Sequence, residues 1–197
     1  ASLPGGYDFA QRAWFDRIGA VGTVLGDISR APAQRGATPP LRARLSAFGP
    51  LPLEAIAVQV LAEDRTEAIR LAGDLLVATG RTTADYTTEM LAAIDQFGPY
   101  IVIAPGIAIA HSRPSPAVLD TGFSLVVLEE ALHFGSEIND PVRLVFALAA
   151  KDHDGHIDAL GMLGELLSDQ GFVNFLLNSS RSEDIRLELE LRTGTIE

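Results

Sequence analysis

Four histidines carry most of the proton- and phosphoryl-transfer chemistry open to this sequence, and they are unevenly placed. His111 stands in "APGIAIAHSRPSP", a segment with three prolines and one glycine that follows a strand-like run. A histidine on a Pro-bounded loop is well placed to be an exposed nucleophile or base. The same residues also read as a turn with an ordinary surface histidine, the commoner case. His156 opens an expected helix after "AAKDHDG". The first turn of a helix offers unpaired N–H groups and a partial positive charge, so a histidine there can help to hold an anion. If the fold sets His111 opposite that helix end, one imidazole could carry a phosphoryl group covalently while the other hydrogen-bonds it. His156 reads equally as a residue that stabilises its loop, and spacing does not decide. Zinc is a third use of the cluster, with His153 and His156 beside Asp152, Asp154 and Asp158. Their H-x-x-H spacing lacks the i, i+4 geometry and the glutamate of the helical zinc motif. His133 lies apart, in "LEEALHFGSE".

Other nucleophile chemistries find no support. Cysteine is absent, which removes thiolate catalysis, thiolate zinc sites and disulfides. There is no G-x-S-x-G, and "GDLLVATG" lacks the Lys-Ser/Thr of a phosphate-binding loop.

The elements that must position these histidines alternate from about residue 51 onward. "AIAVQV" (55–60) has strand length and composition. "DRTEAIRLAGDLLVATG" predicts a helix, with Asp64 and Glu67 spaced as a capping box and Gly80 at the stop. A second helix is expected over "TTADYTTEMLAAIDQFG", with Tyr86, Met90 and Ile94 on one face. Strands are expected at 100–104, 122–128 and 142–150, and helices at 156–167, over "FVNFLLN" and over "SEDIRLELELR". This alternation predicts an α/β fold, a sheet with helices on both faces. Residues 1–50 differ: an aromatic stretch, "YDFAQRAWFDRIGAVG", precedes a Pro/Arg/Gly/Ala passage that resembles a linker or arm. Trp14 and Phe15 are expected to pack on the main body or a neighbouring subunit, which makes a homodimer plausible.

Composition narrows the partners. Of the 197 residues, 47% are hydrophobic and 21% charged, the balance of a folded globular chain. The longest apolar run, Val142 to Ala150, is interrupted by Arg143 and falls far short of a bilayer span, so no membrane insertion is expected. A net charge of -11 disfavours nucleic acid and anionic lipid and would steer a partner with a basic face. The N-terminus, beginning at Ala1 rather than Met, lacks a signal-peptide pattern, and a cytoplasmic protein is expected.

The stretch "GPYIVIAPGIAIAHSRP", followed by "GFSLVVLEEALHFGSEINDPVRLVFALAAKDHDGHIDALGMLGELLSD", resembles the mannitol–fructose (type 2) EIIA domains of the bacterial phosphoenolpyruvate-dependent sugar phosphotransferase system. The likeness runs from about Leu51 to the C-terminus, so residues 51–197 would be the domain and 1–50 an extension. "GPYIVIAPG" and "NDPVRLVFALAA" look most like the ascorbate-type branch. The resemblance implies a mixed β-sheet flanked by helices, phosphorylation of His111, and His156 as the second active-site histidine. It implies HPr as phosphoryl donor and a cysteine of EIIB, associated with membrane EIIC, as acceptor, with no cofactor or metal. Two positions depart from the family. Ala110 stands where the family usually has proline, and "EMLAAIDQ" lacks the arginine of mannitol-type members, for which Arg113 is a candidate substitute. A regulatory nitrogen-type EIIA, or an EIIA-like interaction module without a sugar-specific EIIB, is the alternative reading.

Overall fold

A computed structural model describes residues 51 to 193 of the chain. Within them, β1 (Ile56–Val60) leads into helices α1 (Arg65–Ala78) and α2 (Ala84–Phe97). Next come β2 (Val102–Ala104), β3 (Ile107–His111), β4 (Gly122–Leu132) and β5 (Val142–Ala149), and then α3 (His153–Leu167), α4 (Gln170–Asn178) and α5 (Ser182–Thr193). The strands form one sheet in the order β1-β4-β5-β3-β2. β1 runs parallel to β4 and β3 parallel to β5, whereas β4–β5 and β2–β3 are antiparallel. The expected mixed α/β sheet flanked by helices is the observed architecture. The expected arm, 1–50, lies outside the described residues.

Strand alternation assigns each face its partners. Ile107, Ile109, Leu144, Phe146 and Leu148 join Met162 and Leu163 of α3, Phe172 and Leu176 of α4 and Ile185 and Leu189 of α5 in one buried cluster. The intervening Ala108, Ala110, Val145, Ala147 and Ala149 belong to a second cluster with Ile69, Ala72 and Leu76 of α1 and Tyr86, Met90 and Ile94 of α2. The same period of two puts His111 on the side of Ile107 and Ile109, where α3 packs. The sequence pattern thereby aims this imidazole at the helix that carries His156.

Local signals explain the helix boundaries. Asp64 caps α1 by accepting the Glu67 N–H (2.9 Å). The Glu67 carboxylate reaches back to Glu63 N–H, one residue beyond the partner a standard capping box uses (2.6 Å). Gly98, at φ 77, ends α2 and turns the chain into Tyr100.

Candidate active site

Over residues 104–116 the structure corrects the expectation from sequence. Instead of an exposed Pro-bounded loop, residues 102–111 form a hairpin, with Gly106 at φ 78 in its turn. His111 is the last residue of β3, paired in register with Leu148, and it is fully buried. The strand was missed because Pro105 and Gly106 read as breakers, whereas they make a turn between two very short strands.

His156 comes from the other side of the pole. α3 starts at His153 rather than at His156, because Asp152 is the N-cap. The Asp152 carboxylate accepts Gly155 N–H (2.7 Å), and the Asp152 carbonyl accepts His156 N–H (3.1 Å). The expectation of a helix end open to an anion is therefore corrected at these two amides, since the chain's own residue engages both. What His156 presents to the site is its ring, one turn into the helix and fully buried.

The two rings meet, with centroids 5.1 Å apart and planes inclined at 56°. His111 Nδ1 lies 2.8 Å from the Ile109 carbonyl oxygen. A carbonyl only accepts, so Nδ1 carries the proton and Nε2 the lone pair. Burial pushes His111 down to about 4, with the Ile109 carbonyl acting weakly in the opposite sense. His156 is pushed down to about 3, first by burial and then by the positive charges that His111 and His153 could carry. Near neutral pH both are uncharged imidazoles, the form that can act as a nucleophile.

Two tyrosines, Tyr86 expected only on a helix face and Tyr100 within an expected strand, brace this end of the sheet. The Tyr100 hydroxyl donates to the His111 carbonyl (2.6 Å), and its ring meets the His111 ring edge to face at 5.1 Å. The Tyr86 hydroxyl donates to the Leu148 carbonyl (2.8 Å) and accepts Ser112 N–H (3.1 Å), tying the residue after His111 to β5. Their only sequence signal is general: a phenol in an apolar run must bring its hydroxyl to a partner. The segment beyond is tethered by Ser115 to Glu89 (2.7 Å), by Leu119 N–H to the Arg81 carbonyl (2.8 Å) and by an Arg81–Asp120 ion pair. Arg113, the candidate cation, is exposed, and its charge acts on the Tyr100 hydroxyl. Ile107 and Ile109 are core residues. Among the described residues, no group of three or more His, Cys, Asp or Glu side chains is placed to hold a metal, and no helix is long and apolar enough to cross a membrane.

The fold has counterparts among known proteins. Residues 50–190 match the family described as phosphoenolpyruvate-dependent sugar phosphotransferase system, EIIA 2, and the chain belongs to that family. Its members are phosphotransfer components of sugar uptake. The ascorbate-specific PTS system EIIA component of Escherichia coli is 39% identical over 143 residues, 72% of this chain and 92% of that protein. The solution structure of the mannitol-specific cryptic phosphotransferase enzyme IIA from Escherichia coli is similar at TM-score 0.64 and 32% identity, over 77% of this chain and 99% of the other. The mannitol enzyme IIA in a complex with phosphorylated enzyme IIB, also from Escherichia coli, is similar at TM-score 0.61 and 30% identity, over 69% and 93%.

Proposed function

We propose that His111 is the phosphocarrier residue of this chain, taking a phosphoryl group from the phosphohistidine of HPr and passing it to a cysteine of an EIIB. The observation that carries this reading is the close approach of the His111 and His156 rings, 5.1 Å between centroids, at one pole of the sheet. His111 Nε2 attacks phosphorus in line. The new P–N bond forms as the donor's P–N bond breaks, and the donor imidazole leaves with the electron pair. The Nδ1 proton stays where it is, held by the Ile109 carbonyl (2.8 Å), and that oxygen stabilises the imidazolium character of the product. His156 donates a ring N–H to a phosphoryl oxygen. The arriving negative charge raises the affinity of His156 for a proton and strengthens that bond. The second transfer reverses these movements, with a thiolate as the attacking group. Because the protein supplies position and polarity rather than covalent chemistry of its own beyond His111, alignment governs the rate.

His111 and His156 are fully buried, so donor and acceptor reach them only after the surroundings give way. Residues 51–197 would form the phosphocarrier domain, working in the cytoplasm beside a membrane EIIC, with 1–50 as an extension. The names of the relatives point to ascorbate as the transported sugar acid.

Reconstitution with enzyme I, HPr and labelled phosphoenolpyruvate tests the assignment. The unsubstituted protein should gain one acid-labile phosphate, on His111, and pass it to an ascorbate-type EIIB. His111→Gln should take up none. Label retained in that variant would remove His111 from the role.

A further inference from the structure

Tyr100 packs against the second core cluster and also reaches the histidine pole. Its ring belongs to a succession of three ring contacts: Phe97 meets it edge to face at 6.4 Å, it meets His111 at 5.1 Å, and His111 meets His156 at 5.1 Å. These contacts connect the end of α2 to the first turn of α3, so the His111 imidazole touches both a phenol, itself packed on Phe97, and a second imidazole. The Tyr100 hydroxyl adds a contact that a phenylalanine could not make, the 2.6 Å bond to the His111 carbonyl.

The backbone around Tyr100 is itself anchored. Tyr100 N–H donates to the Gly98 carbonyl (2.9 Å), and the Ile101 carbonyl next to it accepts Ile109 N–H from β3 (2.8 Å). The phenol is thus carried on a turn that is hydrogen-bonded to the strand it braces. Ala110 leaves the residue before His111 without the fixed φ of a proline, so the constraint on the strand end must come from contacts.

Building on the assignment of His111 as phosphocarrier, we propose that Tyr100 is a positioning residue for that histidine: its hydroxyl fixes the main chain at the end of β3 and its ring fixes the plane of the imidazole. Nδ1 is already tied to Ile109, which leaves rotation and tilt of the ring as the motions that could misdirect Nε2. Tyr100 and His156, each in contact with the ring, oppose those motions. Burial pushes the Tyr100 phenol above its ordinary range, so the hydroxyl keeps its proton and remains a donor at working pH. Misplacing a reacting atom by about 1 Å costs on the order of a hundredfold in rate.

The test measures single-turnover phosphorylation by labelled phospho-HPr over a range of donor concentrations, with ¹⁵N NMR of the His111 ring in the unphosphorylated protein. Tyr100→Phe, which keeps the ring and loses the hydroxyl, should lower the saturating rate about tenfold and leave the half-saturating donor concentration unchanged. Tyr100→Leu should lower it about a hundredfold and move the His111 ring nitrogens from the Nδ1–H pattern toward the average of the two tautomers. A Phe variant with the unsubstituted rate, or one whose whole deficit lies in donor affinity, overturns the proposal. So does a folded Leu variant with unchanged ring signals. If the Leu variant does not fold, the Phe variant decides by the same rate criterion. If the unsubstituted protein takes no phosphate, the assignment of His111 fails, and the ring signals still report whether Tyr100 holds the imidazole.

Discussion

At the pole where β4 turns into β5, the little-exposed Asp140 carboxylate accepts the N–H groups of Phe134, Gly135 and Ser136, at 2.7 to 3.1 Å. The exposed His133 ring stands 3.7 Å from the same carboxylate. At the opposite pole His111 meets a carbonyl, a phenol and a second imidazole. One end of the sheet is furnished with N–H dipoles that converge on a carboxylate. The other sets two buried imidazoles beside a carbonyl and a phenol, and burial keeps both rings uncharged near neutral pH. On the proposed assignment of His111, one end of the sheet serves stability and the other a transferable group. The difference also says which substitutions should affect folding and which should affect transfer.

The sharpest separation should come from Asp140→Ala, which strands three amides at once. It should lower stability by about 3 kcal/mol, read by urea unfolding, while leaving the phosphorylation rate of His111 unchanged at low temperature. A parallel fall in that rate would mean that the two poles are coupled. His156→Gln reverses the pattern. It should slow phosphoryl transfer roughly 10- to 100-fold, or shorten the life of the phosphoprotein correspondingly, in quench-flow and label-decay measurements. The fold should persist, and an unchanged rate and lifetime would remove His156 from the site.

Acid should affect the histidine pole in a defined window. His111 and His156 bind protons near 6.5 when unfolded but only near 4 and 3 when folded. Between those values the unfolded chain holds more protons, so stability falls as pH drops below 6.5. The limiting slope is about 1.4 kcal/mol per pH unit for each histidine, and the loss levels off once each folded value is passed. Unfolding free energies at pH 6.5 and 5.5 check this, and His111→Gln should flatten the slope. The smallest effect should lie in α3. Gly161 and Gly164 sit in the helix with open space where a Cβ would go, so Gly161→Ala should raise stability by roughly 0.5–1 kcal/mol. A lower melting temperature in that variant would mean that α3 meets a constraint at this position.

Much of this arrangement is legible in the residues. Asp64 announces its helix, and the run at 142–150 reads as a buried strand, observed over Val142–Ala149. The pairing of His111 with His156 is implied by family resemblance, but the face on which they meet follows from alternation along Ile107, Ile109 and His111, once β3 is recognised as a strand. That recognition failed because three of its five residues are compact (Ala108, Ala110) or polar (His111), a weak strand signal beside Pro105 and Gly106. The start of α3 was placed late because Gly155 and Asp154 are poor helix formers, and the Asp152 cap overrides them. Tyr86 and Tyr100 were invisible as site residues. A tyrosine's partners across the sheet are a tertiary fact, and no local pattern encodes them.

One remaining feature of the sheet concerns its outer boundary. β1 is an edge strand of five residues, its register with β4 slips between Ala57 and Val60, and Gln59 holds a φ of 54. The Ile56 carbonyl is engaged by the Ser182 hydroxyl of α5 (3.0 Å). An irregular margin of this kind offers a poor template to a foreign strand. Another polypeptide could not continue the ladder from β1 without first straightening Gln59, so this side of the domain is guarded against fibrous, edge-to-edge aggregation.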